Sequence, residues 1–232
     1  MGHLVSAVIA AAGKGERAGL NLPKQYAEAA GGPLVRHTLR AFEDSLKIYE
    51  IIVVAAAEHM DRMRGITAGF GKVKDVVEGG SDRFGSVYEG LKKTDPACGV
   101  ILIHDGARPF VNESDIARVI EGVLKYGACA QGVAPAETVK ILGTGDTPAQ
   151  TLDRERIRLV QTPQGFMREI IMDAYGRALA QGLRATDDTT LAERAGHPVH
   201  LAEGRYENLK VTTKEDVLAA DLLLRLRGSG GS

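Results

Sequence analysis

Residues 11–24 read AAGKGERAGLNLPK, and this loop, which follows an apolar segment at residues 5–10, decides the fold class. Gly13 and Gly15 lack Cβ atoms, so the backbone can turn its N–H groups toward an anion. The lysines and the arginine of the loop add positive charge. A strand that ends in such a loop is typical of parallel α/β sheets, which bind ligands beyond the carboxyl ends of their strands.

Two familiar phosphate-binding loops fit this stretch poorly. The P-loop string G-x-x-x-x-G-K-[ST] does not occur in the chain. Gly13, Gly15 and Ala18 match G-x-G-x-x-A, a weak dinucleotide fingerprint, but that motif needs a helix at once and an acidic residue roughly 20 residues later. Pro23 limits such a helix to less than two turns, and the second apolar segment begins only at Glu50. The loop therefore predicts a nucleotide or polyphosphate site, with a solvated surface loop as the alternative if this stretch is taken alone.

Composition limits the remaining classes of function. The chain has 232 residues, of which 44% are hydrophobic, and a formal net charge of −1. A chain of this size can bury roughly 70 to 75% of its unfolded surface, which is enough for one core. We expect a single domain over residues 1–227 and a flexible tail, GSGGS, at residues 228–232. Without a net positive charge, nucleic acid is not an expected partner.

The two cysteines and the apolar runs give information about the compartment. Cys98 and Cys129 lack C-x-x-C spacing, so they predict buried reduced thiols and neither a zinc site nor a disulfide framework. No apolar run reaches the roughly 18 residues that a membrane span needs. We expect a cytoplasmic protein without a membrane partner.

Apolar segments of strand length alternate with amphipathic helical segments, which indicates a mainly parallel sheet flanked by helices on both faces. The strand candidates are residues 5–10, 51–56, 73–77, 100–104 and 128–133. Three helical faces are expected from the spacing of their apolar residues: Val35, Leu39, Phe42 and Leu46; Phe84, Val87, Tyr88 and Leu91; and Ile116, Val119, Ile120, Val123 and Leu124.

The helix starts and the loops after the strands point to one site. Ser81 or Asp82 should begin the second of these helices, and Asn112 or Ser114 the third. The loop at 11–24 and the segments at 79–81 and 104–108 all follow predicted strands. They should therefore meet at one edge of the sheet, where such sheets bind ligands.

Residues 137–163, which we call the predicted arm, depart from this alternation. ETVKIL and RIRLVQT are strand-like runs joined by GTGDTPAQ, with no helix to cover them. They predict a β-hairpin that projects from the sheet. Because an isolated hairpin is only marginally stable in water, we expect the arm to pack against a second subunit.

Eight motifs in unbroken order extend the argument to the whole chain: AAGKGER at 11–17, PKQY at 23–26, GGSDRFGSVYEGL at 79–91, HDGARPF at 104–110, ETVK at 137–140, TPQGF at 162–166, ATDD at 185–188 and EGRYENLKVT at 203–212. Over about residues 4–225 this set closely resembles the 2-C-methyl-D-erythritol 4-phosphate cytidylyltransferases. The resemblance implies a Rossmann-like nucleotidyltransferase fold with a projecting β-hairpin arm. It also implies transfer of CMP from CTP to 2-C-methyl-D-erythritol 4-phosphate, giving 4-diphosphocytidyl-2-C-methyl-D-erythritol and pyrophosphate, in isoprenoid precursor biosynthesis. Mg²⁺ or another divalent cation is the implied cofactor, and a homodimer formed through the arm is the implied assembly.

The resemblance assigns nucleotide-side roles to specific residues. Arg17 and Lys24 match the two loop cations that stabilise the transition state. The nucleotide-binding positions are Ala11, Ala12, Gly13, Gly15, Gly80, Asp82, Ser86, Asp105 and Lys210. Asp82 has a second interpretation, because a residue at this place also fits the N-cap of the following helix.

The acceptor-side positions implied by the resemblance are Asp105, Arg108, Thr138, Arg154, Thr162, Thr186 and Lys210. Asp105 is also a possible metal ligand, directly or through water, since Mg²⁺ prefers hard oxygen ligands. His104 precedes it, but adjacent strand residues point to opposite faces, which favours a core histidine. Without the resemblance, Thr138 and Arg154 would be read as cross-strand partners.

Three other functions stay open at this point. Ribitol-5-phosphate cytidylyltransferases share much of the same framework, and Glu137 stands where aspartate is typical, which could alter acceptor preference. A non-catalytic nucleotide-binding protein would keep the glycines but need not keep Arg17, Lys24 and Lys210 together. An NAD-dependent oxidoreductase would require the acidic residue that is missing after the second strand.

Overall fold

A computed structural model of the chain describes residues 3–13 and 22–229. The strands, in chain order, are β1 (Leu4–Ala11), β2 (Glu28–Ala29), β3 (Gly32–Pro33), β4 (Glu50–Ala55), β5 (Val73–Glu78), β6 (Cys98–Asp105), β7 (Ala128–Val133), β8 (Lys140–Leu142), β9 (Pro148–Thr151), β10 (Leu159–Met167) and β11 (His200–Glu203). The helices are α1 (Leu34–Asp44), α2 (Met60–Thr67), α3 (Arg83–Leu91), α4 (Glu113–Tyr126), α5 (Arg168–Ala180), α6 (Asp188–Arg194) and α7 (Lys214–Ser229).

Within the described ranges, seven strands form one sheet in the order β11-β7-β10-β6-β1-β4-β5. Strands β1, β4, β5 and β6 run parallel to one another, β11 is parallel to β7, and β10 is antiparallel to both β6 and β7. Every residue of β4 is buried, because helices cover both faces of the sheet. The predicted fold class is confirmed, and all five strand candidates correspond to sheet strands, with Ala56 one residue past the end of β4.

The alternation of side chains along β1 builds two separate hydrophobic layers. Val5, Ala7, Ile9 and Ala11 pack with Val35, Leu39 and Phe42 of α1 on one face. Val8 packs with Val87 and Leu91 of α3 on the other face. This period of two is what a strand covered on both faces requires. It fixes the carboxyl end of β1 between two helix layers.

Two of the predicted helical positions are wrong. Helix α1 ends at Asp44, so Leu46 falls in the following turn, where it is 98% exposed. Leu124 belongs to α4 but is 54% exposed. Eight residues after Ile116 the helix has rotated by about 80° from that position, which brings Leu124 to the rim of the buried face.

The structure selects one residue at each predicted helix start. Asp82 caps α3, and its carboxylate accepts a hydrogen bond of 2.6 Å from the Gly85 N–H. Asn112 caps α4 in a reciprocal capping box with Asp115. Both caps follow loops that leave the sheet, so they fix the direction in which α3 and α4 leave it.

The predicted arm is only half right. Strand β8 pairs with Pro148–Thr151, not with the RIRLVQT segment, and every residue of this β8–β9 hairpin is exposed. From Leu159 onward the chain enters the main sheet as β10 and is buried over most of its length. The pattern of the arm sequence cannot reveal this, because β10 finds its partners in strands that are distant along the chain.

The remaining expectations concern cysteines and the end of the chain. Cys98 and Cys129 are buried and free, as predicted. Burial, with Glu50 nearby, raises the pKa of the Cys98 thiol to about 12. Helix α7 runs to Ser229, and the last three residues of the expected tail lie outside the described ranges. Among the helices of residues 3–13 and 22–229, none combines the length and apolar character needed to cross a membrane.

Candidate active site

A cleft of about 810 Å³ opens at the carboxyl ends of the central strands. Its walls come from the loop after β1, the segment after β5 and the end of β6. The predicted site residues that line it are Ala11, Ala12, Gly13, Lys24, Gly80, Asp82, Ser86, Asp105 and Lys210. The three loops expected at one edge of the sheet do converge there. Gly15 and Arg17 lie outside the described residues.

Gln25 holds the loop after β1 in place. Its side-chain amide donates hydrogen bonds of 2.7 Å to the Ala11 carbonyl and 2.8 Å to the Gly13 carbonyl. The side chain is only 3% exposed, which leaves it few other conformations. Gln25 receives no role from the sequence, where its position within the PKQY motif is the one available signal.

Two glycines let backbone form the opposite wall. A Cβ on Gly79 would lie 2.6 Å from the Ala12 Cβ, and one on Gly80 would lie 2.8 Å from the backbone carbon of Gly85. Contacts this short are sterically forbidden, so only glycine fits at both places. The cleft is therefore lined here by peptide groups, which can donate to and accept from a ligand in fixed directions.

Asp82 and Ser86 support this wall from the first turn of α3. One carboxylate oxygen of Asp82 caps the helix, and the other accepts a hydrogen bond of 3.2 Å from Arg184. The Ser86 hydroxyl donates to the Asp82 carbonyl at 2.7 Å. The N-cap interpretation of Asp82 is confirmed, and Asp82 also lines the cleft, so the two interpretations are compatible.

Asp105, the last residue of β6, lies among three cations. Its carboxylate is 2.7 Å from the Lys210 ammonium, 3.5 Å from Arg83 Nε and 3.8 Å from Arg108 Nε. Burial raises the pKa of this carboxyl, but Arg83, Lys210 and Arg108 together outweigh burial and hold the pKa well below its usual range. Asp105 is therefore ionised at neutral pH, with three cationic side chains around its carboxylate.

Arg108 is almost enclosed within this cluster. Its side chain is 11% exposed, and its Nη1 donates a hydrogen bond of 2.8 Å to the Asn208 carbonyl. Burial lowers the pKa of Arg108, and Asp105 opposes that effect. The buried Nε has no hydrogen-bond partner among the described residues. Arg108 is thus held beside Asp105 but does not line the cleft, so its predicted contact with an acceptor stays a prediction.

Thr162 and His104 fix the backbone of Asp105 through a chain of hydrogen bonds. The Asp105 N–H donates to the Thr162 hydroxyl at 3.1 Å, and that hydroxyl lies 3.0 Å from His104 Nδ1. His104 Nε2 faces the Arg108 carbonyl at 3.2 Å, which can only accept, so Nε2 carries the proton of the neutral ring and Thr162 donates to Nδ1. His104 is fully buried, as expected for a core histidine. Thr162 acts here on the backbone of Asp105, and its contact with an acceptor stays a prediction.

The other predicted acceptor residues lie elsewhere on this chain. Thr138, Arg154 and Thr186 are exposed and do not line the cleft. Arg154 donates a hydrogen bond of 3.4 Å to the Ala136 carbonyl, next to the β8–β9 hairpin. The roles implied for these three residues remain predictions.

Comparison with known proteins places this chain in a family. Residues 5–226 match the family described as IspD, 2-C-methyl-D-erythritol 4-phosphate cytidylyltransferase. The chain belongs to that family. A relative of this name from Pelotomaculum thermopropionicum is 42% identical over 226 residues, covering 96% of this chain and 95% of the relative. One from Clostridium acetobutylicum is 43% identical over 222 residues, covering 94% of this chain and 96% of the relative.

Solved structures agree with the cytidylyltransferase assignment. The structure of 4-diphosphocytidyl-2C-methyl-D-erythritol synthase from Anaerococcus prevotii matches with a TM-score of 0.85 and 32% identity, over 96% of this chain and 99% of that one. The resemblance based on the eight motifs is confirmed, and so is the nucleotidyltransferase fold. These three proteins are all named for methylerythritol chemistry and none for ribitol phosphate, so the ribitol alternative gains no support.

Proposed function

We propose that this chain transfers CMP from CTP to 2-C-methyl-D-erythritol 4-phosphate, giving 4-diphosphocytidyl-2-C-methyl-D-erythritol and pyrophosphate in isoprenoid precursor biosynthesis. The cleft carries the proposal, because it combines a backbone wall at Gly79 and Gly80 with the charged cluster of Asp105 and Lys210. Fixed peptide groups suit the edge of a pyrimidine base, and cations suit phosphates. Membership of the family supports CTP and this acceptor as the pair.

The reaction needs alignment more than it needs an acid or a base. An oxygen of the acceptor phosphate bonds to the α-phosphorus of CTP, while the bond from that phosphorus to the oxygen bridging to the β-phosphate breaks. Pyrophosphate leaves with the bridging oxygen. The acceptor phosphate is already ionised at neutral pH, so no side chain has to remove a proton. The protein's part is to hold the two phosphates in line and to stabilise charge on the equatorial oxygens.

The cations of the cleft divide between the two substrates in this proposal. Lys24 faces the triphosphate and stabilises the transition state. The same role for Arg17 is proposed from the resemblance, because Arg17 lies outside the described residues. Lys210 faces the acceptor phosphate from beside Asp105. Arg108, which does not line the cleft, is assigned to the same substrate by the resemblance. Lys210 is suited to a change of partner, because a lysine is a flexible point charge. The unpartnered Nε of Arg108 is buried 3.8 Å from Asp105, so Arg108 would have to shift toward the cleft to contact a phosphate directly.

Mg²⁺ is the cofactor we propose, and the donor set fits it. Within residues 3–13 and 22–229, no group of three or more His, Cys, Asp or Glu side chains could hold a metal alone. Mg²⁺ commonly uses one or two carboxylates plus substrate phosphates, and Asp105 offers one carboxylate in the cleft. Asp105 would hold the ion directly or through water, and the bound ion would neutralise triphosphate charge. EDTA should abolish pyrophosphate release, and added Mg²⁺ should restore it.

A homodimer is the assembly we propose. The β8–β9 hairpin is exposed along its whole length, and Ile141 and Leu142 are 45% and 56% exposed. Thr138 and Arg154 near it do not line the cleft of their own chain. A second copy that received the hairpin would cover these side chains and bring Thr138 and Arg154 to its acceptor side.

The buried reduced cysteines also favour a cytoplasmic location.

The substrate pair is tested by pyrophosphate release. Purified protein with Mg²⁺ should release pyrophosphate from CTP only when 2-C-methyl-D-erythritol 4-phosphate is present, and not with ATP, GTP or UTP. Ribitol 5-phosphate is the matched acceptor control. Faster release with ribitol 5-phosphate would reassign the acceptor, and no release with any pair would contradict the proposed activity.

The composite site is tested by mixing subunits. Lys24→Ala and Arg154→Ala variants are each expected to be nearly inactive. If Arg154 serves the neighbouring subunit, random reassembly of the two variants restores roughly one intact site in four. Activity equal to the sum of the separate variants, or a monomer in sedimentation at micromolar concentration, would contradict the homodimer with shared sites.

A further inference from the structure

Arg83 lies between two carboxylates of different environment. Its Nη2 donates a hydrogen bond of 2.7 Å to Asp188, and its Nε is 3.5 Å from Asp105. Asp188 is fully buried, whereas Asp105 faces the cleft. Arg83 receives no role from the sequence, although it stands inside the motif at 79–91. In the fold, Arg83 connects the cleft to the protein interior.

Asp188 is itself held firmly. The Tyr175 hydroxyl donates a hydrogen bond of 2.6 Å to its carboxylate, and its own N–H donates to the Gln164 side chain at 3.1 Å. The Tyr175 ring stacks on Phe84 at 4.7 Å between ring centroids and on Tyr88 at 5.8 Å. Asp188 therefore has little freedom to follow Arg83 if Arg83 moves.

The partners of Asp105 consequently differ in their freedom to leave it. Lys210 has a side chain that is 35% exposed, and Asp105 is its one ion-pair partner among the described residues. Arg83 is also bonded to Asp188. If Arg83 moved away, the fully buried Asp188 carboxylate would lose its cation, which is energetically costly. When phosphates enter the cleft, Lys210 can turn to them, while Arg83 stays.

We propose that Arg83 is a positioning residue for cytidylyl transfer. Asp188, itself held by Tyr175, anchors Arg83. Arg83 in turn holds the Asp105 carboxylate in place when Lys210 turns to the acceptor phosphate. The inference rests on the proposed function. Without Arg83, the Asp105 carboxylate either moves with Lys210 or keeps the Lys210 ammonium paired to itself and away from the acceptor phosphate. The acceptor phosphate is then held less well, so kcat falls and KM for the acceptor rises, while KM for CTP changes less.

Tyr175→Phe is the central test, because it deletes one hydroxyl and keeps the stacked ring. We expect it to lower kcat by about 3- to 10-fold, and Arg83→Gln by about 10- to 100-fold. Tyr126→Phe is the matched control, since Tyr126 stacks on His200 at the protein surface. Arg83→Lys keeps the charge but cannot bridge both carboxylates with one rigid fork, so it should recover only part of the activity.

A double-mutant cycle separates positioning from a general effect on stability. If Tyr175 acts through Asp105, Tyr175→Phe should change kcat less than 2-fold in an Asp105→Asn background. Equal effects in both backgrounds, or a loss no larger than that of Tyr126→Phe, would overturn the inference. Melting temperatures of all variants show whether a loss of activity reflects unfolding. If Arg83→Gln unfolds, Arg83→Lys replaces it in the comparison, because the lysine keeps the ion pair with Asp188.

A measurement without turnover keeps this inference distinct from the proposed function. Exchange of the Arg83 Nε–H with solvent, followed by NMR with ¹⁵N-labelled arginine, should be slow and should accelerate in Tyr175→Phe. Asp173→Asn is the control, because Asp173 pairs with Arg177 on the surface. Unchanged exchange in Tyr175→Phe would overturn the anchoring. An inactive wild-type protein with accelerated exchange in the variant would count against the proposed function alone.

Discussion

The Lys210 ammonium lies 2.7 Å from the Asp105 carboxylate, which joins the end of β6 to a segment more than a hundred residues later. The pair stands in the cleft with Arg83 and Arg108 on the other sides of the carboxylate. Arg83 is also paired with the buried Asp188, whereas Lys210 is the more exposed partner of Asp105 and lines the cleft. Under the proposed function, Lys210 is therefore in place before a phosphate arrives, which is a form of preorganisation.

Replacing Lys210 should affect the reaction more than the fold. Lys210→Gln removes a donor to the acceptor phosphate, and we expect kcat to fall by about 10² to 10³. Asp105 keeps Arg83 and Arg108 as partners, so the variant should still fold. Steady-state pyrophosphate release and a thermal melt measure the two effects. Lys93→Gln, at an exposed lysine outside the cleft, is the control, and an equal loss in both variants would refute the assignment.

Gln25 should matter for CTP because it fixes the loop after β1. Gln25→Glu places a carboxylate oxygen against the Ala11 or Gly13 carbonyl and removes a donor from both. Net loss of a hydrogen bond costs about 1 kcal/mol, and a repelled buried group costs more, so KM for CTP should rise about 10-fold. Gln181→Glu at the exposed end of α5 is the control. A CTP affinity that does not change, measured by calorimetry, would show that Gln25 does not hold the loop.

Two glycine substitutions should change the free energy of unfolding in opposite directions. Gly80→Ala brings a Cβ to 2.8 Å from the Gly85 backbone, so we expect a loss of about 1 to 3 kcal/mol in unfolding free energy and weaker CTP binding. Gly176 lies in α5, where a Cβ would meet nothing within 4 Å. Gly176→Ala should therefore stabilise by about 0.5 to 1 kcal/mol. Urea unfolding decides, and a Gly80→Ala variant as stable as the wild type would contradict the steric argument.

His104 should make the stability depend on pH. Burial lowers its pKa from 6.5 to about 4, and Asp105 opposes this only in part. Between about pH 6.5 and pH 4, His104 is protonated in the unfolded chain but neutral in the folded protein. The free energy of unfolding therefore falls as the pH falls from 6.5 to about 4. The loss between pH 7 and pH 4.5 should be roughly 2 to 3 kcal/mol.

Unfolding in urea with EDTA present, at pH 7 and pH 4.5, measures this loss. His104→Gln removes the titrating ring and can keep a polar group near Thr162, so its stability should change less over the same range. The difference between the two proteins isolates the contribution of His104 from that of other groups. Equal pH dependence in both proteins would mean that His104 is not the responsible group.

Most of the correct predictions from the sequence rest on local signals. All five strand candidates correspond to sheet strands, and Val35, Leu39 and Phe42 are fully buried as the helical spacing predicts. The glycines at 79 and 80 line the cleft, at the edge of the sheet where their motif was expected. In each case the period of the side chains, or the absence of a Cβ, is a property of a short segment and can be read without the rest of the chain.

Sequence reasoning failed where long-range packing decides the outcome. Leu46 has the right spacing but lies past the end of α1, and residues 159–163 of the predicted arm belong to β10 in the sheet. Gln25 and Arg83 gave no local signal of their own, because polar side chains acquire these roles only from partners distant in sequence, such as Ala11 and Asp188.

The sequence by itself determined the alternation of strands and helices, the edge of the sheet where the cleft opens, the family and about half of the residues that line the cleft. The tertiary structure alone decided the antiparallel insertion of β10, the cluster of cations around Asp105 and the link from Arg83 through Asp188 to Tyr175. The physical reason is that side-chain periodicity and glycine geometry act over a few residues, whereas strand pairing and buried ion pairs depend on which distant segments meet when the core closes.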